Sequence, residues 1–119
     1  MQVGVYGAGK MGEALAIRLM ETGHAVCLCN RSPLEEEKTE RLSGVHLFTD
    51  LEPFFACMTA PRILWLMVPA VAMDDVQSQL APYLKEGDLL VDGGNCHYKD
   101  TVRRHAYWAE RGIGYVDVG

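Results

Sequence analysis

A doubly wound α/β fold, with a mainly parallel sheet and helices on both faces, is predicted by three observations. Short apolar runs alternate with amphipathic segments along the whole chain, as in a parallel sheet whose crossovers are helical. The first run, Val3-Gly4-Val5-Tyr6, leads directly into Gly7-Ala8-Gly9-Lys10-Met11-Gly12, a glycine pattern suited to a tight strand-to-helix turn. The second run ends on Asn30-Arg31-Ser32, where a strand of such a sheet meets its ligand crevice.

Each element can be justified in order. Met11, Ala14, Leu15 and Leu19 recur at three- and four-residue spacing and predict the first helix, closed by Gly23 at a left-handed C-terminal position. Ala25-Val26-Cys27-Leu28-Cys29 is the second strand, and Val45-His46-Leu47-Phe48 the third. Between them Glu35 to Arg41 mixes both signs of charge and reads as an exposed helical face. Asp50 is placed to cap the next helix, with Glu52 and Pro53 in the first turn and Phe54, Phe55 and Met58 on its apolar side. Ile63 to Val68 is apolar on both faces, which predicts a central parallel strand, and Pro69 ends it. Val76, Leu80 and Leu84 line a further helix, after which Gly87-Asp88 turns the chain into strand five, Leu89-Leu90-Val91. Val102, His105, Ala106 and Ala109 mark the last helix, and Gly112 to Val118 reads as strand six.

Composition narrows the function. At 119 residues and 49% hydrophobic, the chain is expected to form one domain with a core of its own. The run Ile63 to Met73 is broken by Pro69 and too short to span a bilayer, so no membrane role is expected. Met1 leads straight into the first strand, with no charged-then-apolar leader. A net charge of −5 with no basic stripe argues against nucleic acid. Cys27, Cys29, Cys57 and Cys96 show neither a C-x-x-C nor a paired spacing, and are expected to be reduced thiols in a cytoplasmic protein. His24, His46, His97 and His105 form no zinc pattern, so no metal site is expected.

The chemistry is expected at the carboxyl ends of the strands. In the glycine turn, Gly7 permits the turn, Gly9 lets the backbone approach a pyrophosphate, and Gly12 lets the helix pack on the strand, the fingerprint of a Rossmann-type dinucleotide site. Where a site for NAD usually has Asp or Glu, this chain has Asn30, which does not repel a 2′-phosphate and still bonds a ribose oxygen. Arg31 adds a planar cation suited to phosphate, and Ser32 a hydroxyl donor. A charge-assisted bond contributes roughly 1.5–3 kcal/mol, a preference for NADP of roughly tenfold to a hundredfold. Composition alone also fits Asn30-Arg31-Ser32-Pro33 as a solvated turn. Asp92-Gly93-Gly94-Asn95-Cys96 borders the same crevice, and Asn95 offers a carboxamide to a nicotinamide or a hydroxylated substrate. Its spacing fits a plain turn equally well.

Taken together, Gly7 to Gly12, Asn30-Arg31-Ser32, Met67-Val68-Pro69-Ala70, Gly87 to Asn95, His97 to Arg104 and Gly112 to Gly119 resemble the N-terminal domain of the decarboxylating 6-phosphogluconate dehydrogenases. The resemblance covers nearly the whole chain, and Asp-Gly-Gly-Asn is its specific part. It implies oxidation of 6-phosphogluconate to a 3-keto acid with hydride transfer to NADP, then loss of CO2 to give ribulose 5-phosphate, a step of the pentose phosphate pathway. Gly7, Ala8, Gly9, Lys10, Met11 and Gly12 are then implied to hold the pyrophosphate, and Asn30, Arg31 and Ser32 the 2′-phosphate. Val68, Pro69 and Ala70 are implied on the nicotinamide-side ribose, and Asn95 on both cofactor and substrate.

Two departures accompany the resemblance. Cys96 stands where the family commonly has Ser, a weaker hydrogen-bonding group at a position implied to touch substrate. The short bacterial branch often carries an acidic residue at position 30 and uses NAD, which makes NAD the alternative cofactor. In the family a Ser-Gly-Gly loop follows the equivalent of Gly119, and the general-base lysine and general-acid glutamate lie much later, on an all-helical dimerisation domain. Lys10, Lys38, Lys85 and Lys99 match no motif of that lysine. Residues 1–119 are therefore expected to be a dinucleotide-binding domain with the helical domain absent, inactive by itself and prone to self-association through uncovered apolar surface. The other readings are a non-catalytic nucleotide-binding remnant and a dehydrogenase of the 3-hydroxyisobutyrate type, which shares the fold and the first fingerprint.

Overall fold

The computed structural model describes residues 1–118; Gly119, the last position of the implied family match, lies outside them. Its elements run β1 (Gln2–Tyr6), α1 (Lys10–Glu21), β2 (Ala25–Cys29), α2 (Glu36–Arg41), β3 (His46–Phe48), α3 (Leu51–Ala56), β4 (Ile63–Leu66), α4 (Met73–Leu80), β5 (Leu89–Asp92), α5 (Tyr98–Ala109) and β6 (Gly114–Asp117). A single-turn 3-10 segment precedes α4 and another follows it. All five strand pairings are parallel, in the order β3-β2-β1-β4-β5-β6. That is the doubly wound order, with its switch point between β1 and β4.

The two directions of winding put the crossovers on opposite faces. Val5, Val26 and Leu28 turn to one face and pack with Ala16 of α1 and Leu42 after α2. Tyr6, Cys27, Leu64, Leu66 and Leu90 turn to the other, under Phe54 of α3, Leu80 of α4 and Trp108 of α5. Register then aligns the strand ends. Cys29, Tyr6, Leu66 and Asp92 are successive Cα partners across β2, β1, β4 and β5. The next residues, Asn30, Gly7, Met67 and Gly93, therefore leave the sheet along one edge.

Three expectations are corrected by the packing. On α1 the buried positions are Gly12 and Ala16, while Met11 is 70% exposed and Ala14 is exposed, with Leu15 and Leu19 only flanking the seam. The helix is rotated because Gly12 must face the turn, where a β-carbon would meet the Gly7 carbonyl, and Ala16, one turn on, then faces the strand. On α5 the buried residues are Arg104 and Trp108, whereas Val102, His105, Ala106 and Ala109 face outward. Both buried side chains are anchored by polar bonds, which hydrophobic periodicity does not register: Trp108 Nε1 donates to Gln77 (2.8 Å) and Arg104 Nε to Asp74 (3.0 Å). The cysteines are not all free thiols. Cys27 on β2 and Cys57 at the end of α3 form a disulfide with Cα atoms 6.7 Å apart, leaving Cys29 and Cys96 free among the described residues. The crossover from β3 through α3 back to the sheet brings the pair together, and no local spacing signals it.

Smaller differences fall at element ends. Asp50 occupies the N-cap of α3 without a side-chain capping bond. Strand six is shorter than expected, because Gly112 still belongs to the turn after α5, with φ +72°. No helix among the described residues is long and apolar enough to cross a membrane.

The rotation of α1 is directly testable. Ala16→Leu is expected to destabilise the chain by about 1–3 kcal/mol through overpacking, while Ala14→Leu stays within about 0.5 kcal/mol, in urea unfolding.

Candidate coenzyme site

Gly7 begins the turn with φ +106°, and its N–H donates to the Cys29 carbonyl (2.9 Å), tying the fingerprint to the end of β2. A β-carbon at Gly7 would run into the Met67 carbonyl, and one at Gly12 into the Gly7 carbonyl. Gly9 differs. Beyond its own chain neighbours, no protein atom lies within 4 Å of where its β-carbon would stand, so this stretch of backbone opens outward. Gly9 is also the N-cap of α1 and supplies no capping side chain. The first-turn N–H groups and the positive end of the helix therefore face open space, an arrangement suited to a pyrophosphate.

The second turn is already organised by Asn30. Its Oδ1 accepts from the Ala8 N–H (3.2 Å), and its Nδ2 donates to the Ser32 carbonyl (2.8 Å). The carboxamide thus spans both turns, a structural use that the expected ribose contact did not include. Arg31 is exposed and donates through Nη1 to Gln79 Oε1 (2.9 Å) on α4, whose Nε2 donates in turn to Asp75 (3.0 Å). Ser32 is exposed beside it. One group at these turns escaped the sequence reading: Lys38 Nζ of α2 donates to the Ala8 carbonyl (2.6 Å). Its position inside a run of mixed charge carries no signal of that contact.

A cleft of about 430 Å³ follows the strand ends, lined by Gly9, Lys10, Met11 and Gly12, by Met67, Val68 and Pro69, and by Gly93, Gly94 and Asn95. Three separated sequence motifs thus share one wall. Ala70 lies just beyond, in the exposed 3-10 turn Ala70–Ala72. Gly94 sits tightly, since a β-carbon would stand 3.0 Å from both Met73 Cε and the Val68 carbonyl. The lining is apolar or backbone except for Asn95 and Lys10, and only Lys10 is ionisable. Two other hollows, about 190 Å³ between α4 and α5 and about 570 Å³ at the amino ends of β1 and β4, lie away from the fingerprint.

Beneath the Gly93-Gly94-Asn95 turn lies a buried polar chain. Trp108 donates to Gln77, Gln77 Nε2 donates to the Tyr115 hydroxyl (3.1 Å), and that hydroxyl donates to Asp92 Oδ2 in a short bond. Asp92, fully buried, accepts on Oδ1 from the Gly94 N–H (2.9 Å) and from Cys96 Sγ (3.7 Å). The turn is therefore held from below by a carboxylate whose two oxygens are both engaged. Burial, and then the Asp92 charge, raises the Cys96 pKa above the ordinary thiol value. The side chain stays a neutral donor turned toward Asp92, while Asn95 faces the cleft. Burial, followed by the bond to Asp92, likewise pushes the Tyr115 hydroxyl up.

The fold and the cleft define the class: a Rossmann-type NAD(P)-binding domain of an oxidoreductase. Residues 2–119 match the family described as the NAD binding domain of 6-phosphogluconate dehydrogenase, and the chain belongs to that family. It is 40% identical over 121 residues to the NAD(+)-dependent, decarboxylating 6-phosphogluconate dehydrogenase of Bacillus subtilis, covering 98% of this chain and 26% of that protein. To the NADP(+)-dependent enzyme of the same organism it is 38% identical over 125 residues, covering 99% of this chain and 26% of the relative. Among solved structures, 6-phosphogluconate dehydrogenase of Plasmodium falciparum superposes with a TM-score of 0.84 at 26% identity, over 97% of this chain and 26% of that one. A 3-hydroxyisobutyrate dehydrogenase of Mycobacterium tuberculosis, with a TM-score of 0.79 at 17% identity over 98% of this chain and 39% of that one, shares the fold. The chain spans 26 to 40% of the length of the first of its curated relatives. NAD(P) binding is thus the family property, and the relatives include enzymes of both cofactor types, at 40% and 38% identity.

Two substitutions separate the cradle from its support. Gly12→Ala is expected to abolish dinucleotide binding in titration calorimetry, because the added methyl must displace the Gly7 carbonyl. Tyr115→Phe leaves one oxygen of buried Asp92 unpaired, and a loss of about 2 kcal/mol in urea unfolding is expected.

Proposed function

We propose that this chain is the NADP-preferring coenzyme domain of an enzyme that oxidatively decarboxylates 6-phosphogluconate to ribulose 5-phosphate. The observation that carries the cofactor half is the neutral, preorganised Asn30 at the end of β2, followed by the exposed guanidinium of Arg31. No carboxylate stands there to repel a 2′-phosphate, and a planar cation is presented to it. The substrate half is supported by the family match and by Asn95, held against the cleft on the Asp92-braced turn.

The residues divide the work. Gly9 and the first turn of α1 would seat the pyrophosphate, and Asn30, Arg31 and Ser32 the adenosine side. Val68 and Pro69, with Ala70 at the lip, would border the nicotinamide-side ribose, and Asn95 would orient the ring and the substrate. When bound, the nicotinamide supplies the hydride acceptor. Catalysis also needs an acid and a base within hydrogen-bond reach of the substrate. With Lys10 as its sole ionisable lining residue, the cleft contributes a seat for the oxidant and no acid–base pair. The 119-residue chain by itself is therefore read as a binding domain without turnover. Its outer surface also favours self-association: Tyr98 and Val102 on α5 are 78% and 51% exposed, beside the edge strand β6 with Val116 exposed.

Titration calorimetry on the chain is expected to show NADP bound about tenfold more tightly than NAD. Binding of NAD with no binding of NADP overturns the cofactor assignment. Incubation with NADP and 6-phosphogluconate is expected to yield no ribulose 5-phosphate, and its appearance sinks the reading as a binding domain alone. Joined to a catalytic domain of the family, activity on 3-hydroxyisobutyrate without activity on 6-phosphogluconate overturns the substrate assignment. Light scattering is expected to rise with concentration, and a monomer at every concentration refutes self-association.

A further inference from the structure

We propose that the hollow between α4 and α5 is a second binding site, for a small planar carboxylate, and that filling it is felt at the Gly93-Gly94-Asn95 turn through the buried polar chain. At about 190 Å³ the hollow falls below the roughly 300–1,000 Å³ of sites for drug-sized ligands, which limits it to a small molecule. It shares no lining residue with the coenzyme cleft and is independent of the NADP reading.

Guanidinium groups set the charge of the ligand. Arg103 and Arg104 both line the hollow, and Asp74 is the one carboxylate among its lining residues. Every contact of Arg103 runs through Nη2, two to Asp74 at 3.1 Å and one to Asp100 at 3.6 Å. Its Nη1 and Nε, on a side chain more than half exposed, keep donors to spare. Arg104 is almost wholly buried and bonds Asp74 through Nε at 3.0 Å, while its Nη1 is buried with no hydrogen-bond partner. The bond to Arg104, then that to Arg103, holds the Asp74 carboxyl below the ordinary carboxylate range, so the lining carries one negative charge against two positive. A carboxylate matches the planar fork that Arg103 leaves open.

The walls set its shape and its reach. Tyr107 and Trp108 stand edge to face with ring centroids 5.0 Å apart, an aromatic wall suited to a flat ligand, and Ser78 adds a hydroxyl. Gln77 lines the hollow beside Trp108, and their 2.8 Å bond opens the series that runs by way of Tyr115 to Asp92 and the Gly94 N–H. Arg104 makes a second connection. Burial raises both the Cys96 thiol and the Tyr115 hydroxyl, and the Arg104 charge works against that rise at each. An anion drawn to the two arginines therefore changes the field on groups that hold the turn.

The test is a titration of the 119-residue chain with benzoate, followed by nitrogen–proton NMR correlation at constant ionic strength, with benzamide as the neutral control. The Trp108 indole N–H is one of two such signals in the chain, and a Trp65→Phe variant tells them apart. Benzoate is expected to shift the Trp108 indole and the Gly94 amide along saturable curves with one dissociation constant of about millimolar size, and benzamide to bind at least about fivefold more weakly. Arg103→Gln should weaken benzoate about tenfold, and Asp74→Asn, which removes the competing charge but keeps an acceptor for Arg104, should strengthen it about twofold or more. Unchanged thermal melting confirms that both variants fold, and the comparison of benzoate with benzamide needs no variant. If the Trp108 indole does not move, or benzamide moves it equally, the carboxylate site is refuted. Full affinity in Arg103→Gln removes the guanidinium from the site and overturns the proposal. Saturation at Trp108 with an unmoved Gly94 amide overturns the coupling to the turn. Shifts confined to the amides of Gly9 to Gly12 place benzoate in the coenzyme cleft and refute the second site.

Discussion

Everything at the functional edge depends on how closely α1 approaches the end of β1. Gly12 lies against the Gly7 carbonyl with no space for a methyl between them, and Gly7 itself is pressed on the Met67 carbonyl of the neighbouring strand's exit. This contact fixes the rotation of α1, turning Ala16 inward and Met11 outward to the cleft. It also fixes the direction in which the helix N-terminus points. A bulkier residue at either glycine moves the helix, its dipole and the cleft wall together.

Around that contact the site is braced from two sides by polar groups rather than by further hydrophobic packing. Asn30 ties the first turn to the second, and the Asp92 carboxylate ties the Gly93-Gly94-Asn95 turn to β6 and, through Gln77 and Trp108, to α4 and α5. Buried polar chains are costly when incomplete and rigid when complete. Here the rigidity falls on the two loops that border the cleft. The cleft wall itself stays apolar, and the turns beside it carry the open first-turn N–H groups of α1 and two cations.

The charge distribution makes the same division. The chain is acidic overall, with a net charge of −5, yet the turns after β1 and β2 carry two cations, Arg31 and Lys38. Glu13, the carboxylate best placed to neutralise Lys38, is held by Arg41. Local pairing on the α1–α2 face thus leaves Lys38 without a carboxylate within 4 Å among the described residues.

The sequence by itself determined the fold class, the order of six strands, the glycine turn and the set of loops that meet at the carboxyl edge. Alternation of apolar runs and the conformational demands of glycine are local properties, and they are written residue by residue. Only the tertiary structure decided which faces those elements present. The apolar residues of α1 and α5 described stripes that packing rejected: in α1 because Gly12 had to face the turn and carried Ala16 inward with it, in α5 because Arg104 and Trp108 are anchored through polar partners on α4. The Cys27–Cys57 disulfide, the Asp92 network and the contact of Lys38 with Ala8 share one reason for being illegible. Each joins groups far apart in the chain through crossovers whose lengths and turns set the distance, and a one-dimensional pattern holds no record of that distance.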